Sequence, residues 1–107
     1  MLEREIEKAL VRQIKNAGGI APKLTSPGTA GMPDRIIILP GGKICFVELK
    51  RPGRKPRPLQ QRQMARLANL GCMVRTIDHP NQIQDLINEI QQQPTRKKPL
   101  QEPGQHP

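Results

Sequence analysis

Two apolar runs, "RIIILP" at 35–40 and "KICFVELK" at 43–50, meet at Gly41-Gly42, and no other feature restricts the fold as tightly. Short β-branched runs joined by two glycines read as a β-hairpin with a tight turn. Pairing about that turn puts Arg35 opposite Glu48 and leaves Asp34 one step away across the ladder. Along the second run, a period of two sends Ile44, Phe46, Glu48 and Lys50 to one face and Cys45, Val47 and Leu49 to the other. Both faces are apolar, so this strand is expected to be central in its sheet and buried.

Two carboxylates at the end of a buried strand repel each other, and each loses hydration. A divalent cation between them removes the conflict. Hard oxygen ligands suit Mg²⁺ or Mn²⁺, and such an ion keeps waters that a substrate phosphate can displace. Lys50, on the same face as Glu48, is placed to orient or deprotonate an attacking water and to offset phosphate charge. Taken alone, Glu-x-Lys reads more readily as an exposed pair on an edge strand, and Asp34 as a turn former after Pro33. Their convergence on one hairpin end, in a strongly basic chain, favours the metal site.

The remaining segments supply a frame. Leu2, Ile6, Leu10 and Ile14 recur at helical spacing over residues 2–17, before Gly18-Gly19. The centre of that stripe lies close to Glu3, with Glu5 and Glu7 roughly 90° or more away, so Glu3 is expected to point toward the sheet. "IAPKL" reads as a short strand or extended piece leading into a Gly/Pro-rich loop. After the hairpin, "RPGRKPRP" is a basic loop in which prolines forbid regular structure. A helix follows over 58–70, with Leu59, Leu67 and Leu70 on one face and Gln60 and Gln63 on or near it. "CMVRTI" makes a further strand. "PNQIQDLINEIQQQ" makes a last helix, with Pro80 at its start and Ile83, Leu86, Ile87 and Ile90 along one stripe. Residues 94–107, rich in proline and carrying Arg96, Lys97 and Lys98, read as a disordered basic tail. The order is that of a mixed α+β sheet flanked by helices, with the domain over residues 1–93.

At 107 residues the chain has room for one small domain, and with Phe46 as its only aromatic the core must come from aliphatic side chains. That thin core makes dimerisation a plausible supplement. The net charge of +9, from 18 Lys and Arg against 9 Asp and Glu, points to a polyanionic partner, nucleic acid first. No run is apolar over the ~18 residues that a membrane span needs, and the start lacks the apolar centre of a signal peptide, so a cytoplasmic protein is expected. Cys45 and Cys72 have neither CxxC spacing nor a nearby histidine, which argues against zinc and for reduced cysteines serving as small hydrophobes.

In this order and spacing the residues resemble a known family. "GMPDR" at 31–35, "VELKRP" at 47–52, "PLQ" at 58–60 and a helix opening "EREIEKAL" are similar to the virus-type replication-repair nuclease (VRR-NUC) domain of the PD-(D/E)XK superfamily, over about residues 3–90. The resemblance implies a restriction-endonuclease-like core and a metal-dependent DNA endonuclease leaving 5′-phosphate and 3′-hydroxyl ends. Carried over by position, Asp34, Glu48 and the Leu49 carbonyl look like ligands of Mg²⁺ or Mn²⁺, Lys50 like the catalytic lysine, Glu3 like the helix glutamate and Gln60 like the motif glutamine. The registers of Glu3 against Glu7 and of Gln60 against Gln63 stay open. Short members of the family look like phage or bacterial homodimers acting on branched DNA such as four-way (Holliday) junctions. Arg51, Arg54, Lys55 and Arg57, beside the proposed site, suit phosphate contacts that position a duplex without reading its sequence. A sequence-specific restriction-type endonuclease and a non-catalytic DNA-binding accessory protein are the competing readings.

Overall fold

The computed structural model describes residues 1–96. Helix α1 spans Glu3–Asn16, strand β1 Arg35–Leu39, strand β2 Lys43–Leu49, helix α2 Pro58–Asn69 and strand β3 Val74–Ile77; a 3₁₀ turn over Pro80–Gln82 leads into helix α3, Ile83–Gln91. Among the described residues the sheet has the order β1-β2-β3, antiparallel between β1 and β2 and parallel between β2 and β3. The parallel pair requires a crossover, which α2 supplies. Beyond Arg96 the expected tail lies outside the described residues.

One face of the sheet is dry. Ile37, Leu39, Cys45, Val47, Leu49 and Ile77 meet Ile6, Ala9, Leu10 and Ile14 of α1 and Ile83, Leu86, Ile87 and Ile90 of α3 in a single buried cluster. Burial pushes the Cys45 thiol up to about 12, which leaves it an inert small hydrophobe. The other face of β1 and β2, carrying Ile36, Ile38, Ile44 and Phe46, is only half-buried. Here the apolar stripe expected of α2 behaves differently from those of α1 and α3: none of its residues is buried, and Leu59 and Leu70 are 40% and 74% exposed.

Two expectations need correction. The extended piece at 20–24 is not a strand but a pair of isolated bridges, Ile20 to Ile38 and Lys23 to Arg35, along the free edge of β1. Pro22 accepts from the Ile36 N–H through its carbonyl but has no N–H to return, so a regular ladder cannot continue through it. The hairpin register is also shifted by one residue. Leu39 pairs with Lys43 and Arg35 with Val47, not with Glu48. Pro40 cannot donate to the ladder and joins the turn, so the loop is Pro40-Gly41-Gly42, with both glycines at positive φ (90° and 71°). One step beyond the last pair, the same register sets Asp34 directly opposite Glu48.

Candidate active site

The half-covered face of the hairpin therefore runs in rungs, Ile38 with Ile44, Ile36 with Phe46, then Asp34 with Glu48, and the change from hydrocarbon to carboxylate is abrupt. Glu48 is 1% exposed, the only buried charged side chain among the described residues. Its Oε2 accepts from Gln60 Nε2 at 2.7 Å and lies 3.0 Å from Lys50 Nζ. Its Oε1 is buried with no hydrogen-bond partner among the described residues. Burial pushes the Glu48 carboxyl above the ordinary carboxylate range; the Lys50 ammonium opposes the rise and the neighbouring Asp34 adds to it. Asp34 is held in turn, its Oδ2 accepting from the Leu49 N–H at 2.9 Å.

A buried carboxylate oxygen without a donor, beside a second carboxylate, fits a cation better than any neutral group. Asp34, Glu48 and the Leu49 carbonyl are hard oxygen donors of the type that Mg²⁺ and Mn²⁺ accept. No three His, Cys, Asp or Glu side chains converge into a ligating group among the described residues.

Gln60, not Gln63, is the glutamine that reaches this point. Its Oε1 accepts from the Arg57 N–H at the start of α2, at 2.8 Å, which turns the amide nitrogen toward Glu48. The sequence signal was present in the Pro58-Leu59-Gln60 start, since a glutamine at the third helical position reaches back to the cap. Glu3 is placed less well by the sequence reading. It lines an open cleft of about 490 Å³ with Leu2, Arg4, Glu7, Asp34 and Arg51, but it is exposed and does not point into the sheet. Glu7, one turn later, is half-buried and is fixed by Arg35, whose guanidinium lies 3.2 Å from it and donates a 2.7 Å bond to the Ala21 carbonyl. Sequence reasoning missed that pair.

Arg51, Arg54, Lys55 and Arg57 are all exposed around the same end of the sheet, and Arg51 borders the cleft. A larger cavity of about 820 Å³ lies toward the hairpin turn, lined by Ile36, Ile44, Phe46, Leu70 and Met73, and has no carboxylate in its wall.

No family model matches the chain. A protein described as "Putative nuclease p44", from Acyrthosiphon pisum secondary endosymbiont phage 1, is 54% identical over 76 residues, which are 71% of this chain and 82% of the relative. A solved structure titled "VRR_NUC domain" superposes with a TM-score of 0.75 at 34% identity, covering 80% of this chain and 94% of its own. With its mixed α+β core and the carboxylate rung in place, the chain belongs to the VRR_NUC family.

Proposed function

We propose that this protein is a divalent-metal-dependent endonuclease that hydrolyses phosphodiesters in DNA, acting as a homodimer on branched substrates such as four-way junctions. The observation that carries the reading is the Glu48 carboxylate, buried at the end of a central strand with one oxygen unpartnered among the described residues and Asp34 opposite. Asp34, Glu48 and the Leu49 carbonyl would hold the ion, Mg²⁺ or Mn²⁺, which supplies an activated water and neutralises charge on the phosphate. Lys50, 3.0 Å from Glu48, orients the attacking water and offers positive charge to the phosphate. Gln60 keeps Glu48 Oε2 occupied, which would leave Oε1 for the ion. Glu3, in the wall of the cleft, is a group that meets the solvated side of the substrate.

Arg51, Arg54, Lys55 and Arg57 contact phosphates, which gives affinity that falls steeply with salt and carries little sequence preference. That favours recognition by shape over the restriction-type reading, which needs base-reading elements. A two-fold dimer presents two such sites to a two-fold junction.

The test is cleavage of a labelled four-way junction beside a matched linear duplex, with Mg²⁺ or Mn²⁺, by wild type and Glu48→Gln. Symmetric paired nicks in the junction, 5′-phosphorylated and absent in the variant, are expected. If both proteins bind the junction equally and neither cuts it, the chain is a DNA-binding accessory protein with an idle site.

A further inference from the structure

The first turn of α2 carries Gln60 to Glu48, yet α2 contributes no buried residue to the domain. Something other than a core must fix it. The loop that brings in Asp34 passes directly beneath that turn. Gly31, at φ +84°, sits so close that a Cβ there would lie 2.8 Å from Leu59 Cγ and 3.2 Å from both the Leu59 carbonyl carbon and its oxygen. Real Cβ atoms do not come within 3.0 Å of such neighbours, and the conformation itself is one that L side chains rarely adopt. Two elements meet backbone to backbone here. One ends at Asp34, three residues after Gly31; the other presents Gln60, the residue after Leu59.

We propose that Gly31 is a positioning residue: its bare Cα seats the first turn of α2 against the Asp34 loop and so sets Gln60 on Glu48. The joint rests on the reading of Glu48 as a working carboxylate of the site. It has two independent parts. The Gly31 to Leu59 contact sets the height of the turn above the loop. The Arg57 N–H bond to Gln60 Oε1 sets the amide's direction, so the turn cannot tilt without moving the donor on Glu48.

The experiment compares wild type, Gly31→Ala, Leu59→Ala, Gln60→Ala and the Gly31→Ala/Gln60→Ala pair. The first readout is nuclear magnetic resonance of the metal-free ¹⁵N-labelled protein, following the Gln60 side-chain amide and backbone hydrogen exchange. Gly31→Ala is expected to move the Gln60 side-chain signals to solvent-exposed positions and to speed exchange in α2 by about tenfold or more, with α1 and α3 keeping wild-type protection. The second readout is cleavage: kcat falls about tenfold, KM for DNA stays within about twofold, and adding Gly31→Ala to Gln60→Ala costs nothing further.

Unmoved Gln60 signals, exchange raised equally in α1 and α3, or equal kcat losses with and without Gln60 would each overturn the proposal. Should Gly31→Ala fail to fold, Leu59→Ala removes the Cγ part of the contact and keeps the carbonyl part, without straining the loop. The same pattern at smaller amplitude is then expected, and unchanged Gln60 signals again overturn it. Wild type that cuts no DNA while the Gln60 signals respond as expected would overturn the nuclease reading and leave the joint standing.

Discussion

Helices α1 and α2 approach the same carboxylate pair from different elements, and they are attached in opposite ways. α1 drives Ile6, Ala9, Leu10 and Ile14 into the core and brings its acidic first turn to the cleft as a by-product. α2 buries nothing, and its tie to the site is polar, through Gln60, together with the close approach at Gly31. One helix is held by buried hydrocarbon, the other by half-buried contacts and by the site it serves. Stability and chemistry are therefore expected to separate between them.

The largest effect that separates them is on stability. Leu10 is 0% exposed, and Leu10→Ala should cost about 2–5 kcal/mol of unfolding free energy, because a cavity between α1 and the sheet has no route to collapse. Leu67→Ala, at the corresponding apolar position of half-buried α2, should cost under about 1 kcal/mol. Urea denaturation of both variants reads this directly. A loss above about 2 kcal/mol for Leu67→Ala would mean that α2 shares the core after all, and the contrast would fall.

Only part of this contrast is written in the sequence. The hairpin and the three apolar stripes are written in local periodicity; α3 buries what its spacing assigns, and α1 does so from Ile6 onward, while Leu2 is 46% exposed. The carboxylate pair was also legible, although its register was not. Pro40 reads as the end of a strand, and only the missing N–H turns it into the first residue of a three-residue loop. That single shift moved Asp34 from one step away to directly opposite Glu48. The α2 stripe misled because spacing shows that a helix has an apolar side, not that anything lies against it. Glu3 misled for a geometric reason. A helical wheel gives the direction of a side chain around the axis and not whether anything lies against that turn, and at the first turn of α1 even Leu2 is 46% exposed. Gly31 was invisible, since a contact with Leu59 across the fold leaves no local pattern.

A second prediction concerns charge at the point where the two helices' contributions meet. The folded-state value of Glu48 is raised by burial, so the folded protein favours the protonated form more than the unfolded chain does. For such a group the stabilising contribution is full below the ordinary carboxylate range and is lost as pH rises through the raised value. In chelator-treated protein, Glu48→Gln should therefore be more stable than wild type at neutral pH, with the advantage shrinking as the solution is acidified. Denaturation midpoints over a pH series check the sign. Mn²⁺ should restore wild type and leave the variant unchanged.

Gln60→Ala sharpens the comparison at moderate cost. It removes a donor to a buried carboxylate and one bond at the helix cap, for about 1 kcal/mol of stability, while cleavage should fall about tenfold in kcat. A polar attachment that supports chemistry more than folding predicts that imbalance. Equal, small effects on both would make Gln60 a cap and nothing more.

The smallest effect tests α1 against itself. Glu7 and Arg35 are paired at 3.2 Å with side-chain exposures of 28% and 12%, whereas Glu3 is exposed in the same cleft wall. A double-mutant cycle with Glu7→Gln and Arg35→Met should give a coupling of up to about 1 kcal/mol, since partial solvent exposure screens the pair. Glu3→Gln should change stability by less than about 0.5 kcal/mol, as surface substitutions do. The cycle carries more than its size. Arg35 also donates to the Ala21 carbonyl, so Arg35→Met alone should cost more than the coupling, and the excess measures the bond to the 20–24 segment. A coupling indistinguishable from zero would leave α1 attached by hydrocarbon alone, which is the purest form of the difference between the two helices.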